Sequence, residues 1–440
     1  MRQTFSLGLL SQFIQHFSGF LLLPVIVLYF NSEEIGLWYT LIALNGIGIL
    51  LDFGVQPTII RELAKTDIIR SVNKNNAETH LYDVHRKFSS IVFLMTTYYS
   101  FLALIMLLTS ELLFMRYVTS TPGIELVRTD LEGLWSINTL AFMSTIGTLP
   151  FAAVLFGLDR PSEVYIISII NRISFLIVSL FCLQLQLGIL TWSIATIVGN
   201  IVSVIVFGIF WKVNSFGGFL TKFEVNDIKN IYKIVFVSIY KMGIGALTQF
   251  LILRAPLFIV NFYLGLSVGA GLGILYQVNN AIWHVSKIPI QMNLASFTRG
   301  WVEFDASKMK SKVYNALMIS VVLQIIGMIL VFGLYLLFHQ IILVKFGMIE
   351  LEVMLAVSLL FIGESFHSNC TLILSTKNYL QYYRAYIVSS LIIVVTWFIA
   401  IGSGESLLLA LCLQCVVQLS YNNWKWPVVL YKQLSGTKEC

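Results

Sequence analysis

Apolar runs of about 20 residues recur from one end of the chain to the other. That is the length of a helix that crosses a bilayer. They predict twelve spans, near 5–30, 35–60, 88–114, 132–157, 163–186, 188–211, 234–262, 266–296, 314–338, 348–373, 384–402 and 405–430. The connections alternate. One set is long and basic (61–87, 212–233, 297–313, 374–383); the other is very short (31–34, around Leu187, 263–265, around Ser403). No loop is long enough for a folded soluble domain. The pattern is that of an all-α polytopic membrane protein.

Polar positions inside the spans are not scattered. In the eighth span Gln277, Asn280, His284, Lys287 and Gln291 step by three and four. At about 100° per residue they share a sector of roughly 80°. A charge at the bilayer centre costs about 2.5–3.5 kcal/mol even on the mildest scale, so this stripe faces protein or a water-filled cavity. The first span has a similar seam (Gly8, Gln12, Gln15, His16, Gly19), as do the second (Asn45, Asp52, Gln56) and the seventh (Ser238, Lys241, Gly245, Thr248, Gln249). The tenth is a partial case, with Glu364, Ser368, Thr371 and Ser375; the remaining spans look apolar all round.

Spans 1 and 7 begin alike. Each has a hydroxyl-Gln-Phe triplet (Ser11–Phe13, Thr248–Phe250), a mid-helix Pro (Pro24, Pro256) and an aromatic pair before a tight turn. The repeat predicts two pseudo-symmetric six-helix lobes, 1–211 and 234–440, the second with a short tail, joined by a linker at 212–233. Seams on spans 1, 2, 7 and 8 then build a central hydrophilic cavity, where transporters bind their cargo.

Composition agrees: 58% hydrophobic and 11% charged residues, and mean hydropathy +0.84. The first run is too long, and too polar at Gln12, Gln15 and His16, for a cleavable leader. A net charge of +6 invites a nucleic-acid reading. However, the bases lie in the long loops of one side, which the positive-inside rule places in the cytoplasm with both termini. Only Arg116, Arg128 and Lys345 fall on the other side, and only Arg172, Lys241, Arg254 and Lys287 fall within spans. No metal or cofactor site is expected: Cys412-x-x-Cys415 has no second ligand pair. No P-loop motif is present, so energy is expected from an ion gradient, H⁺ or Na⁺, from the membrane potential or from product removal.

Each candidate has two readings. Lys287 and Lys241 line the cavity as cationic substrate ligands, or snorkel to the cytoplasmic surface. Arg254 is too deep to snorkel inward, but an ideal helix turns it away from the Lys241 face, and Pro256 disturbs that projection. Arg172 joins the cavity or forms an ion pair inside the first lobe. Asp52 and Glu364 are coupling sites or partners for these cations. His16 and His284 titrate or are satisfied core groups. Gln12, Asn45, Gln249, Gln277, Asn280 and Gln291 are polar lining, suited to sugar hydroxyls.

Three segments carry a resemblance: Ile35-Gly36-Leu37-Trp38, the Leu51–Ala64 stretch LDFGVQPTIIRELA, and Leu155–Arg160 (LFGLDR). With twelve spans in two lobes, the chain resembles bacterial O-unit flippases, of the multidrug/oligosaccharidyl-lipid/polysaccharide exporter superfamily. The resemblance implies alternating access in the bacterial inner membrane. It implies as cargo an undecaprenyl-pyrophosphate-linked oligosaccharide, a repeat unit of O-antigen or a related surface polysaccharide. As partners it implies the bilayer, a polysaccharide polymerase and a chain-length regulator. It places the family's cavity cations on Lys241 and Lys287, with Arg254 beside them. The rivals are an ion-coupled multidrug exporter of the same superfamily and a membrane-embedded polymerase or glycosyltransferase.

Overall fold

The computed structural model describes residues 2–50, 55–56, 59–60, 62–63, 78–109, 115–126, 131–213, 228, 243–303, 306–346, 350–377, 379 and 381–435. Within these, the regular structure is helical. The long helices are α1 (Arg2–Tyr29), α2 (Ser32–Leu50), α3 (Glu78–Thr109), α5 (Leu131–Gly157), α6 (Pro161–Gln184) and α7 (Leu190–Val213), with a one-turn α4 (Met115–Thr119) between α3 and α5. Then follow α8 (Ala255–Leu264), α9 (Leu266–Glu303), α10 (Ala306–Phe346), α11 (Leu351–Thr376), α12 (Tyr382–Gly402), α13 (Leu407–Ser420) and α14 (Asn422–Leu434). Eight of the described helical segments are long and apolar enough to cross a membrane. The fold is that of an all-α polytopic membrane protein.

Two of the expected spans are not continuous helices. The span Gly243–Leu264 is interrupted at Arg254, after which α8 begins with Pro256 in its first turn. The last span, expected as one helix over 405–430, breaks at Tyr421 (φ −143°, ψ −62°) into α13 and α14. The first break follows from Pro256. Proline has no N–H to give to the carbonyl four residues back, Ile252. That carbonyl instead accepts from Gln414 Nε2 on α13 at 2.8 Å, and Gln414 Oε1 in turn accepts from Trp397 Nε1 on α12 at 2.8 Å.

The chain forms two compact units: 1–18, 41–120 and 128–247 in one, 19–40, 121–127 and 248–440 in the other. In the first unit α5, α6 and α7 pack around buried amides and hydroxyls. Asn171 Nδ2 donates to Asn200 Oδ1 (3.2 Å) and Ser203 Oγ (2.9 Å). Asn200 Nδ2 donates to Ser144 (2.8 Å) and Thr145 (3.1 Å). Gly199 lets the α6 backbone approach: a Cβ there would stand 3.1 Å from the Asn171 carbonyl. Small and polar residues at helix contacts are how spans associate in lipid, where apolar burial gives no preference. The outward faces are apolar, as with Ile173, Ile177 and Leu180 on α6 and Met318, Ile325 and Ile329 on α10, all exposed.

The second unit is built on α9 and α11, with α8, α10, α12, α13 and α14 around them. Its lower core gathers Ile290, Phe297, Met309, Val313, Ile373 and Trp426. The turn before α2 is a capping box. Asn31 Oδ1 accepts from Glu34 N at 2.7 Å, and Glu34 Oε2 accepts from Asn31 N at 3.0 Å, satisfying two donors that a helix start leaves open. This turn meets the α8–α9 turn at Gly265 (φ +90°). The meeting is backbone-close: a Cβ on Gly36 would lie 2.0 Å from the Leu266 carbonyl oxygen, and one on Gly273 would lie 2.7 Å from Tyr39 Cβ. Leu266 N donates to Pro122 O at 3.2 Å. Asn261 Nδ2 donates to Thr40 Oγ1 at 2.6 Å, and Thr40 donates to the Gly36 carbonyl at 2.8 Å. We call this contact the glycine seam.

Candidate functional site

α9 carries the polar stripe that the sequence pattern predicts. Gln277, Asn280, His284, Lys287 and Gln291 are all half-buried along it. Gln277 reaches α1: its Nε2 is 2.7 Å from where a Cβ on Gly19 would stand. Two seam positions predicted separately, Gly19 and Gln277, are thus neighbours in the second unit. His284 stacks on Trp283 (centroids 6.2 Å, 17°). Lys287 Nζ lies 5.9 Å from the Trp283 ring centroid, a geometry in which the ring face attracts the cation.

Arg254 occupies the break in the span Gly243–Leu264. It precedes α8 with φ −119° and ψ −34°, and its side chain makes no capping hydrogen bond. Four backbone N–H groups at a helix start lack partners within the helix, and the helix dipole is positive there. A guanidinium at that point adds to the same field. Arg254 interacts electrostatically with Tyr276 on α9, whose hydroxyl is buried without a hydrogen-bond partner. Arg172, in the first unit on α6, is half-buried with its Cζ 5.7 Å from the Phe175 ring. None of Arg172, Arg254 and Lys287 has an ion-pair partner among the described residues.

Other candidates are placed as follows. Gln12 is half-buried on α1 and Gln249 is exposed. His16 and Asn45 lie on α1 and α2, with side chains outside the described residues; Lys241 and Asp52 lie outside them entirely. Glu364 is buried at 4% exposure. Its Oε2 is 3.7 Å from His367 Nε2. His367 was not singled out from sequence, although its spacing of three from Glu364 on a helix puts the two on one face. Tyr276 and Gln414 were also missed. Neither stands out among apolar neighbours until its partner on another helix is known. Among the described residues no three His, Cys, Asp or Glu side chains gather as a metal site would need.

A broken span, a polar stripe and cations within apolar helices without ion-pair partners among the described residues mark a polytopic membrane protein whose interior carries polar chemistry. The family profile described as polysaccharide biosynthesis protein matches residues 1–292, and the chain belongs to that family. Among solved structures it is similar to an outward-facing multidrug resistance MATE family transporter of the MOP superfamily. The TM-score is 0.63 at 11% identity, covering 99% of this chain and 96% of that one. It is also similar to the lipid II flippase MurJ in an inward closed conformation (TM-score 0.59, 14% identity, 99% and 92% covered). A third is a MOP superfamily transporter from Pyrococcus furiosus (TM-score 0.55, 10% identity, 99% and 96% covered). No curated protein matches the chain by sequence.

Proposed function

We propose that this protein is a flippase. It moves an undecaprenyl-pyrophosphate-linked oligosaccharide, a repeat unit of O-antigen or a related surface polysaccharide, from the cytoplasmic to the periplasmic leaflet by alternating access. The observation that carries the reading is the set of cations within spans that have no ion-pair partner among the described residues, Lys287 and Arg254 in the second unit and Arg172 in the first. A half-buried cation within a span, with no ion-pair partner, is a costly arrangement. A diphosphate ligand offsets that cost with charge-assisted hydrogen bonds. Lys241 belongs to the same proposed set. The half-buried amides Gln277, Asn280 and Gln291 suit sugar hydroxyls. Family membership and likeness to a lipid II flippase support the choice of cargo class.

In this reading the protein sits in the bacterial inner membrane with both termini in the cytoplasm. It hands its cargo to a polymerase and a chain-length regulator. It is coupled to H⁺ or Na⁺, with Asp52 and Glu364 as the acids available, and it is a transporter rather than an enzyme. Multidrug export is the second reading, favoured by likeness to a MATE transporter; organic cations are poorly matched to a site with more bases than acids.

The test is to express the chain in a strain lacking its own flippase and measure surface polysaccharide per inserted molecule. Purified protein in vesicles holding a labelled lipid-linked oligosaccharide provides the direct assay. Restored polysaccharide and leaflet exchange support the flippase. Dye efflux without either supports the multidrug reading.

A further inference from the structure

Glu364 and His367 stand one turn apart on α11, 4% and 2% exposed. Glu364 Oε2 faces His367 Nε2 at 3.7 Å. On the other side of the ring, Nδ1 is 3.1 Å from the Gly363 carbonyl and 2.8 Å from Asn423 Oδ1 on α14. A backbone carbonyl only accepts. Nδ1 therefore carries the hydrogen, whichever way the Asn423 amide is turned. That fixes the tautomer: in the neutral ring Nε2 is a bare acceptor pointing at a carboxyl. The pair then has two compatible states. A proton sits on Glu364 and faces a neutral Nε2, or it sits on Nε2 as imidazolium against a carboxylate.

Glu364 Oε1 is buried with no hydrogen-bond partner among the described residues, and Oε2 meets His367 only as a charge contact. A carboxyl kept only for packing has both oxygens satisfied, because leaving one dry costs about 1–3 kcal/mol or more. Among the described residues, the titratable groups facing it from neighbouring helices are Tyr276 on α9, Tyr386 on α12 and Cys415 on α13, each close enough to interact electrostatically. α14 contributes the neutral Asn423, and α10 contributes Ser320, bonded to Asn369 of α11. None of these is a second carboxylate. A hard metal cation takes a cage of six or more oxygens. An imidazole in a fixed tautomer and one lone carboxyl suit a proton instead.

Tyr276 also interacts with Arg254, so it links the carboxyl to the break in the span Gly243–Leu264. Gln414 ties the same break to α12 and α13. Changing the charge of the pair therefore changes the field at the one point where that span has no continuous helical hydrogen bonding.

We propose that Glu364 and His367 are the coupling site of this transporter: they take up one proton and release it in each cycle, and the bound proton biases the broken span. The step is a simple protonation. An O–H bond forms at Glu364 as hydronium becomes water, and it breaks again when water on the other side accepts the proton. The proposal rests on the transporter reading and specifies its ion.

The experiment has two arms, each with the purified full chain in lipid. The first records the infrared carbonyl band of a protonated carboxylic acid as pH is raised. Above the pH at which ordinary carboxyls have ionised, the wild type is expected to show one such band that disappears on deprotonation. Glu364→Gln is expected to lack it, and His367→Gln to keep it with a shifted midpoint. The second arm measures movement of a labelled lipid-linked oligosaccharide under an imposed proton or sodium gradient. The proton-driven component is expected to fall at least about tenfold in Glu364→Gln, with the gradient-free rate less affected.

A band titrating in that same pH range that persists in Glu364→Gln overturns the proposal, as does unchanged proton-driven transport in that variant or a response to sodium alone. If Glu364→Gln does not fold, the wild-type band and its shift in His367→Gln still decide, and no titrating band overturns it. If the bands behave as expected but no lipid-linked oligosaccharide moves, the proton pair stands and the cargo assignment falls.

Discussion

The α5–α7 network of the first unit and the surroundings of α9 and α11 in the second treat polar groups in opposite ways. In the first, Asn171, Asn200, Ser203, Ser144 and Thr145 are neutral and bonded to one another across α5, α6 and α7. In the second, Glu364 has a bare oxygen and Tyr276 a bare hydroxyl, and the half-buried cations Arg254 and Lys287 have no ion-pair partner among the described residues. A satisfied neutral network fixes how spans pack and has little reason to change. Incompletely satisfied ionisable groups are costly unless something else meets them during function. The difference teaches where to look: shape in the α5–α7 amide network, chemistry at the cations and at the Glu364 carboxyl. It also separates stability from transport as readouts, and that separation can be tested.

The largest effect is expected at the glycine seam. A Cβ on Gly273 would lie 2.7 Å from Tyr39 Cβ, and a disulfide needs about 3.5–4.5 Å. Replacing the Tyr39 ring with cysteine frees room for that small adjustment. Tyr39→Cys with Gly273→Cys, in a background without the five native cysteines, should form a bridge on oxidation. Transport should stop almost completely and return on reduction. A fully bridged protein that still transports shows that the seam never opens, and removes rocking at this contact from the mechanism.

Next comes Lys287. A hydrogen bond to a charged group contributes about 1.5–3 kcal/mol, or roughly 10–100-fold in affinity. Lys287→Ala should insert normally and lose transport by about that factor. Lys287→Arg should keep much of it, and Lys287→Glu should be worst through repulsion of a phosphate. The cation–π contact with Trp283 predicts a smaller loss, of about 0.5–2 kcal/mol in stability, shared by Ala and Glu. Surface polysaccharide per inserted molecule across the three variants distinguishes these. Equal output would remove Lys287 from the cargo path.

Gln414 is expected to act on stability more than on transport. Gln414→Ala leaves the Ile252 carbonyl and the Trp397 indole N–H without their partners, at about 1–3 kcal/mol each when buried. Thermal unfolding in detergent should show a clear drop. An unchanged melting temperature would mean that the break in the span is held by something other than this bridge.

How far these residues were legible from sequence follows from the range of the signal each one gives. The helical segments were visible as apolar runs, because lipid imposes one length and one polarity on every span. The α9 stripe was visible because five polar residues repeat with the helix period. Pro256 announced a disturbance, yet the residue that stabilises it, Gln414, is 162 positions from the Ile252 carbonyl it bonds. His367 was hidden for a similar reason: its partner Asn423 is 56 positions off and on another helix. Spans 4 to 6 looked apolar all round because single residues such as Asn171 and Asn200 have no period. Only their meeting across helices gives them a role. Lys241 and Asp52 fall outside the described residues.

The smallest effect belongs to the first unit, and it tests the comparison from the other side. Ser203 Oγ accepts from Asn171 Nδ2 at 2.9 Å and donates to the Gly199 carbonyl at 2.9 Å. Asn171 Nδ2 keeps a second acceptor, Asn200 Oδ1, so Ser203→Ala leaves no donor stranded. The loss is one ordinary hydrogen bond in a neutral network, about 0.5–1.5 kcal/mol. The variant should melt slightly lower, and transport per inserted molecule should match wild type. Asn171→Leu removes both of its bonds and strands Asn200 Oδ1, so it should cost more stability while still sparing transport per molecule. The informative reversal is a Ser203→Ala protein with an unchanged melting temperature and reduced transport. That result would place moving parts inside the first unit's amide network. The contrast between a shaping amide network and the ionisable groups around α9 and α11 would then have to be abandoned.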